Sequence, residues 1–193
     1  MDDVTVAAIV GSLRDESYTR TALDVALGAA ESYPNVETDL IDLRAFDLPI
    51  YDGDAGDAGD AEALRERVTA ADAILVGTPV YHGSYSSTLK TALDYCGFDE
   101  FDGKTVGLLA VAGGSFPTAT LDHLRSVMRA LNAWVLPHQA AIPRVSSHFD
   151  DGRFVNDDLR ERVEVLGERA VEYARIEPDP RTFEAESNVG ADD

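Results

Sequence analysis

The chain has 193 residues, 45% of them hydrophobic, and a formal net charge of −20 from 36 acidic and 16 basic residues. This length and hydrophobic fraction are typical of one globular domain and exclude general disorder. The negative charge would repel nucleic acid and anionic membranes at moderate salt, so we expect neither as a partner.

The start of the chain and its hydropathy predict the compartment. Residues 1–3, Met-Asp-Asp, lack the basic start of a signal peptide, and no apolar run reaches the roughly 18 residues of a membrane span. We therefore expect a cytoplasmic protein. The excess of acidic residues resembles proteins of salt-loving organisms, in which dense salt screens self-repulsion, and a halophilic source is our hypothesis.

Apolar stretches alternate with amphipathic stretches through most of the chain. The apolar stretches predict five strands, at about residues 4–10, 36–43, 72–79, 103–112 and 134–142, with Pro137 interrupting the last. The amphipathic stretches predict five helices, at about residues 17–32, 61–71, 87–96, 121–131 and 156–175. This alternation predicts an α/β fold, namely a flavodoxin-like, doubly wound sheet of five parallel strands in the order 2-1-3-4-5 with helices on both faces.

Residues 1–176 are predicted to form this single domain. Residues 177–193 hold six acidic residues against one arginine and are predicted to be a mobile acidic tail.

The aspartate-rich stretch 52–60 lacks the ligand order of an EF-hand and predicts a solvated loop instead of a calcium site. The single cysteine, Cys96, cannot form an internal disulfide, and no Cys/His cluster predicts a metal centre.

Three loops follow strands at the carboxyl edge of the predicted sheet, where ligands of such folds bind. They are loop 1 (residues 11–17), loop 2 (residues 78–84) and loop 3 (residues 112–117). Loop 1 offers hydroxyls, the cation of Arg14 and the start of a helix, whose free amides and dipole favour a phosphate. An ordinary helix N-cap at Ser17 with a solvated Arg14 explains the same residues, and both interpretations stand at this point.

Loops 2 and 3 offer groups that suit a flat ring. Loop 2 carries Tyr81 and His82 beside a glycine, and these side chains can flank a ring or form hydrogen bonds with it. Loop 3 exposes backbone at Gly113 and Gly114, where a ligand can approach closely. A phosphate site beside a ring site indicates a mononucleotide.

Competing signatures are missing from the sequence. The first strand is not followed by G-x-G-x-x-G, no G-x-S-x-G elbow is present, and residues 97–105 fail the spacing of a phosphate loop. His123, His138 and His148 have no recognisable partners and are predicted to be structural or solvated. Cys96 is predicted to be a packed thiol.

Four motifs, in the right order, resemble the NADPH-dependent FMN reductase family. They are residues 11–17 (Gly-Ser-Leu-Arg-Asp-Glu-Ser), residues 48–51 (Leu-Pro-Ile-Tyr), residues 71–84 followed by 89–94, and Gly113-Gly114 before a helix that contains Leu-Arg. The resemblance covers about residues 4–176. It implies a flavodoxin-like, FMN-binding domain with NADPH or NADH as the reductant.

The resemblance also implies which residues bind FMN. It assigns the phosphate to Ser12, Arg14, Ser17, Tyr18 and Thr19, the isoalloxazine ring to Pro79, Val80, Tyr81, His82 and Gly83, and the polar edge of the ring to Gly113 and Gly114. The family commonly has asparagine where this chain has His82, which bears on the polar contacts of loop 2.

The function implied by the resemblance is electron transfer from NAD(P)H through FMN to a small acceptor, which could be a flavin, a quinone, an azo compound or an oxidised metal ion. No side chain then needs to act as acid or base, so we assign neither a catalytic residue nor a metal. A homodimer or homotetramer would complete the shallow pocket. One alternative is a flavodoxin-like electron carrier without its own NAD(P)H turnover, and another is a flavin-free binding module.

Overall fold

A five-stranded parallel sheet forms the centre of the computed structural model, which describes residues 3–176. Its strands are β1 (Val4–Val10), β2 (Val36–Asp42), β3 (Ala73–Pro79), β4 (Thr105–Val111) and β5 (Trp134–Ile142), in the order β2-β1-β3-β4-β5. The predicted fold class and strand order are therefore confirmed. The predicted acidic tail, residues 177–193, lies outside the described residues.

Within residues 3–176, six α-helices connect and follow the strands. They are α1 (Tyr18–Ala30), α2 (Ala61–Ala70), α3 (Ser87–Tyr95), α4 (Phe98–Phe101), α5 (Thr118–Ala130) and α6 (Asp157–Glu172). Two short strands, β6 (Phe149–Asp150) and β7 (Arg153–Phe154), form an antiparallel hairpin before α6. Among residues 3–176, every helix is too short or too polar to cross a bilayer.

The alternation of side chains along β1 divides the core into two layers. Val6 and Ala8 lie in one apolar cluster, which also contains the inward faces of α1 and α6. Ala7 and Ile9 lie in the other, with residues of α2, α3 and α5. Because neighbouring residues of a strand point to opposite faces, helices cover both sides of the sheet.

Helices α1 and α6 cross at very close range. A Cβ added at Gly167 of α6 would lie 1.9 Å from the carbonyl oxygen of Ala26 in α1. Since backbone atoms block that position, only glycine permits the observed approach of the two helices.

Two details differ from the sequence-based expectations. The predicted count of five helices was wrong, because α4 follows α3 and is held there by Glu100, which accepts hydrogen bonds from the Gly97 amide (2.6 Å) and from Arg65 Nε (2.8 Å). Pro137 does not interrupt β5. Instead, the pairing of β5 with β4 changes register there. The polar stretch at residues 150–152 is the turn of the β6–β7 hairpin.

Strand β5 pairs with β4 and with no other described strand. Arginines from the flanking helices reach its carbonyl groups: Arg125 Nη2 donates to the Leu136 oxygen (2.7 Å), and Arg162 Nε donates to the Gln139 oxygen (2.9 Å). These guanidinium groups stabilise the last strand of the sheet from both sides.

Candidate functional site

Loops 1 and 2 meet at the carboxyl edge of the sheet through a buried hydrogen-bond network. The Gly11 amide donates to the Gly77 carbonyl (2.8 Å), and Ser86 Oγ donates to the Gly11 carbonyl (2.5 Å). The Ser86 amide donates in turn to Thr78 Oγ1 (3.0 Å). This network places the start of loop 1 directly beside the end of β3.

The close contact between these loops requires glycine at position 11. A Cβ there would lie 2.9 Å from both the Gly77 oxygen and the Leu89 Cβ. Ser86 was not among the candidate residues predicted from the sequence. Its position just before α3 is a helix N-cap signal, and Ser86 Oγ does accept a hydrogen bond from the Leu89 amide (3.1 Å).

The candidate phosphate residues of loop 1 fall into two groups. Ser12, Ser17 and Thr19 are buried, whereas the Arg14 side chain is exposed and has no ion-pair or hydrogen-bond partner within residues 3–176. Ser17 Oγ accepts a hydrogen bond from the Arg20 amide (3.2 Å), so the N-cap interpretation of Ser17 describes the structure. Because a hydroxyl that accepts one bond can still donate another, this cap does not prevent contact with an anion.

Side-chain packing holds the start of α1 in place. The Thr19 methyl group lies against Gly77, since a Cβ on that glycine would be 3.1 Å from Thr19 Cγ2. The Tyr18 ring packs on Phe149 of the β6–β7 hairpin, with 4.9 Å between ring centroids. The Thr19 methyl group and the Tyr18 ring are therefore packed against the protein.

The surroundings of loop 1 are acidic. Asp15 and Glu16 are exposed beside Arg14, and Arg44 pairs with Asp15. Burial raises the pKa of the Asp24 carboxyl, an effect that nearby Arg20 opposes. An anion bound at this turn would therefore rely on Arg14 and the α1 amides against a negative local field.

Loop 2 contains a tight turn whose backbone is left-handed at two positions. The Tyr81 and Ser84 amides and carbonyls exchange two hydrogen bonds, at 3.0 and 3.1 Å. His82 has φ 51° and Gly83 has φ 81°, the pattern of a type I′ turn. Asparagine and glycine favour this conformation, which explains physically why asparagine would suit the position of His82.

The turn is anchored at both ends. The Val80 amide donates to the Val111 carbonyl of β4 (2.8 Å), and Ser84 Oγ forms a hydrogen bond with His123 Nδ1 of α5 (3.1 Å). His123 was predicted to be structural or solvated, and this contact gives it a partner that the sequence did not reveal. Tyr81, His82 and Gly83 are exposed between these anchors, whereas Pro79 and Val80 are half-buried.

Loop 3 is held by the chain that follows β5. The Arg144 amide donates to the Gly114 carbonyl (2.8 Å), and the Val145 amide donates to the Ala112 carbonyl (3.0 Å). Gly113 and Gly114 are exposed, and a Cβ added to either would have no atom within 4 Å. Open space therefore lies directly against the backbone of loop 3.

The structure also places His138 and Cys96. No partner of His138 is recognisable in the sequence, and in the structure its Nε2 forms a hydrogen bond with the Arg162 carbonyl (2.9 Å). Cys96 is buried as predicted, and burial, reinforced by the negative charge of Glu100, raises the pKa of its thiol to about 12. The thiol is therefore neutral and unreactive at physiological pH.

A rim of exposed apolar side chains borders the three loops. It consists of Leu13, Ile50, Tyr81 and Phe116, which are 57%, 88%, 51% and 84% exposed. Leu13 and Ile50 also line one groove, together with Phe46 and Leu48. Solvated apolar groups in one region of a surface indicate a place where a ligand or another protein binds.

Comparison with known proteins identifies the family. Residues 4–146 match the model of the family described as NADPH-dependent FMN reductase. The chain belongs to this family. The matched region contains all three loops.

Two curated relatives of this reductase have similar lengths. A protein named FMN-dependent NADPH-azoreductase from Staphylococcus saprophyticus is 30% identical over 184 residues, which cover 88% of this chain and 95% of the relative. A protein named NAD(P)H-dependent FMN reductase from Pseudomonas aeruginosa is 34% identical over 172 residues, which cover 84% and 91%.

Two solved structures share the fold of this reductase. The flavoenzyme FerB, an NAD(P)H:(acceptor) oxidoreductase from Paracoccus denitrificans, has a TM-score of 0.73 at 23% identity, with coverage of 89% of this chain and 97% of FerB. The NADH:FMN oxidoreductase EmoB has a TM-score of 0.71 at 23% identity, with coverage of 91% and 92%.

Family membership decides between the classes of function left open by the sequence. The expected FMN-dependent oxidoreductase with NAD(P)H as co-substrate is confirmed, and it is favoured over the electron carrier. The reductase is thus a flavoenzyme.

Proposed function

We propose that loops 1, 2 and 3 together hold FMN, with its ring exposed to small flat electron acceptors. The observation that carries this proposal is the meeting of all three loops at one sheet edge, with open space at the glycines of loop 3. The residues that we assign to the cofactor are Ser12, Arg14, Ser17, Tyr18, Thr19, Pro79, Val80, Tyr81, His82, Gly83, Gly113 and Gly114.

The phosphate end fits loop 1. Arg14 is a planar cation free of carboxylate partners within residues 3–176, so it can give two parallel hydrogen bonds to phosphate oxygens. The hydroxyls of Ser12 and Ser17 and the first amides of α1 supply further donors. Thr19 contributes through its backbone, because its methyl group packs on Gly77.

The ring end fits loops 2 and 3. Gly83, Gly113 and Gly114 have no atom within 4 Å of an added Cβ, so a flat ring can approach the backbone there. Tyr81 and His82 are exposed at the same edge and can border the ring.

The cofactor and the chain have different roles in this arrangement. When held by these loops, FMN would supply the redox chemistry, namely uptake of a hydride from NAD(P)H and delivery of electrons to the acceptor. The chain binds the phosphate, orients the ring against loop 2 and excludes water from one side of it. No acid or base is assigned to a side chain of the site.

The acceptor is proposed to be a small aromatic molecule. The exposed Tyr81 and the neighbouring apolar rim suit an azo compound, a quinone or a free flavin better than a hydrated metal ion. The name of the staphylococcal relative makes azo compounds the first to test.

The closing experiment is an FMN titration of the wild type and of Arg14→Gln, followed by flavin fluorescence. Loss of a charge-assisted hydrogen bond is worth about 1.5–3 kcal/mol, so we expect the Kd for FMN to rise about 10-fold or more. Arg129→Gln is the matched control, since Arg129 is exposed at the far end of α5. A wild type that does not bind FMN would disprove the function, whereas an unchanged Kd in Arg14→Gln would disprove only the phosphate assignment.

A screen of acceptors tests the substrate class. Wild-type protein loaded with FMN is assayed with NADPH and with NADH against an azo dye, a benzoquinone, free FMN and ferric citrate. We expect turnover with the aromatic acceptors to exceed that with the iron complex.

We also propose a homodimer or homotetramer in which a second copy covers the apolar rim. The motivation is the 88% exposure of Ile50 and the 84% exposure of Phe116 beside the site. Light scattering should give a mass of two or four chains for the wild type and one chain for Ile50→Glu. Phe98→Glu, on the exposed side of α4, is the control expected to keep the oligomer. A monomeric wild type would contradict the proposal.

We also propose a cytoplasmic location and a halophilic source. The reductant NAD(P)H is an intracellular metabolite, which supports a cytoplasmic site of action, and cell fractionation tests it. The net charge of −20 supports a halophilic source. Molar potassium chloride should then raise the unfolding temperature, and an unchanged temperature would contradict it.

A further inference from the structure

His123 forms a hydrogen bond that links helix α5 to the turn of loop 2. Its Nδ1 lies 3.1 Å from Ser84 Oγ, across 39 residues of sequence. The imidazole is exposed, and the residues assigned to the cofactor do not include it. A long-range contact between two polar side chains at the surface costs rotamer freedom. Its effect is therefore on the segment that it keeps in place, which is the turn of loop 2.

The turn that His123 contacts is internally strained. His82 has a left-handed backbone, with φ 51°, which a residue with a Cβ adopts at a cost. Two hydrogen bonds between Tyr81 and Ser84 close the turn, but they do not connect it to the rest of the protein. The hydrogen bond from Ser84 to His123 does connect it.

The other end of this link is rigid. Helix α5 is anchored in the core by Leu121 and Leu124, which are fully buried on either side of His123 in the sequence. Because His123 is attached to this well-packed helix, its hydrogen bond to Ser84 limits the movement of the turn.

One exposed residue that this restriction affects is Tyr81. It is 51% exposed, lies at the first position of the turn and belongs to the apolar rim. Its backbone is bonded to Ser84 on both sides of the turn, so a displacement of Ser84 displaces Tyr81.

We propose that His123 is a positioning residue that acts through Ser84 to hold Tyr81 where flat electron acceptors bind. The proposal rests on the proposed function, because it places the acceptor beside the ring-facing turn. His123 touches neither cofactor nor acceptor. Its effect is on acceptor binding and on the ring end of the cofactor, which Tyr81 also borders, whereas the phosphate contacts of loop 1 are left intact.

The test compares four single variants and the double variant of Ser84→Ala with His123→Leu. Ser84→Ala and His123→Leu each remove the hydrogen bond. His123→Asn keeps a polar amide near the position of Nδ1. His123→Leu has a side chain branched like that of asparagine but without polar atoms. Ser126→Leu places the same leucine at another exposed position of α5 and is the control.

Three measurements are made on each variant. Amide hydrogen exchange at Tyr81 and Ser84 in the flavin-free protein reports the turn itself, the Kd for FMN reports cofactor binding, and steady-state rates with an azo dye give KM and kcat. We expect Ser84→Ala and His123→Leu to speed exchange and to raise the KM for the dye about 3- to 10-fold, the range that one net hydrogen bond supports. The double variant should add nothing further, because both changes remove the same bond.

The remaining expectations separate positioning from general structural damage. The Kd for FMN should rise less than the KM for the dye in Ser84→Ala and His123→Leu, since the phosphate contacts of loop 1 are untouched, and the steady-state rates are measured at saturating FMN. His123→Asn should restore the KM, and Ser126→Leu should leave it unchanged. A wild-type KM in Ser84→Ala and His123→Leu at saturating FMN would overturn the positioning proposal alone, as would unchanged exchange at Tyr81 and Ser84 in these two variants. A wild type that fails to bind FMN would overturn the proposed function, and the positioning proposal with it.

Discussion

Replacement of Ser86 by alanine should destabilise the protein through two separate hydrogen bonds. Ser86 is 3% exposed, and its Oγ both donates to the Gly11 carbonyl and caps α3 by accepting from the Leu89 amide. Loss of the cap costs about 1 kcal/mol. The buried Gly11 carbonyl, left without its donor, costs about 1–3 kcal/mol more. We expect Ser86→Ala to lower the free energy of unfolding by about 2–4 kcal/mol, a large part of the stability of a typical domain.

A second N-cap provides the matched control. Asn156 caps α6 by accepting from the Leu159 amide (2.9 Å). Asn156→Ala should therefore cost only the capping contribution, about 1 kcal/mol. Urea unfolding of the flavin-free proteins, followed by circular dichroism, gives both values, and equal m-values would confirm that the same surface is exposed. Equal losses in Ser86→Ala and Asn156→Ala would refute the claim that the bond to Gly11 contributes to stability.

Three further predictions concern glycine and cysteine positions. Gly167→Ala should cost about 3 kcal/mol or more in the same urea assay, because its Cβ would lie 1.9 Å from the Ala26 oxygen, whereas the exposed helical Gly28→Ala should stabilise by about 0.5–1 kcal/mol. Gly113→Ala should change stability by less than about 0.5 kcal/mol yet raise the Kd for FMN, because the added methyl group enters the open space at loop 3. The pKa of the Cys96 thiol is raised from 9.0 to about 12, so iodoacetamide should label it at pH 8 only after unfolding. Because the folded thiol has the higher pKa, its contribution to the free energy of unfolding is complete below pH 9 and is lost as the pH rises toward 12. Cys96→Ala should remove this loss of stability. Fast labelling of the folded protein would contradict the burial of the thiol.

The fold was predictable because its signal is local and repeated. Each strand is an apolar run of about the expected length, each main helix shows apolar residues at helical spacing, and strict alternation of the two leaves few topologies. The position of the three loops then follows from the topology, since carboxyl ends of parallel strands meet at one edge. Helix α4 escaped prediction because four residues are too few to show a helical period.

The details of the site were less predictable because they depend on contacts between distant residues. Ser86 lies 75 residues from Gly11, and no spacing rule connects the two. The contact of His123 with Ser84 depends in the same way on how α5 packs over loop 2. The left-handed turn at His82 could have been predicted, because a histidine-glycine pair in place of asparagine-glycine keeps the signature of a type I′ turn.

The arginine side chains along β5 bear on how the protein behaves when it is concentrated. An open strand edge is a template on which another chain can add a strand, and such growth leads to aggregates. Here the carbonyls of Leu136 and Gln139 already accept from Arg125 and Arg162, so an incoming strand would first have to displace both guanidinium groups. The two guanidinium groups thereby hinder strand addition at these two positions of β5, which favours contacts between copies through side-chain surfaces such as the apolar rim beside the three loops.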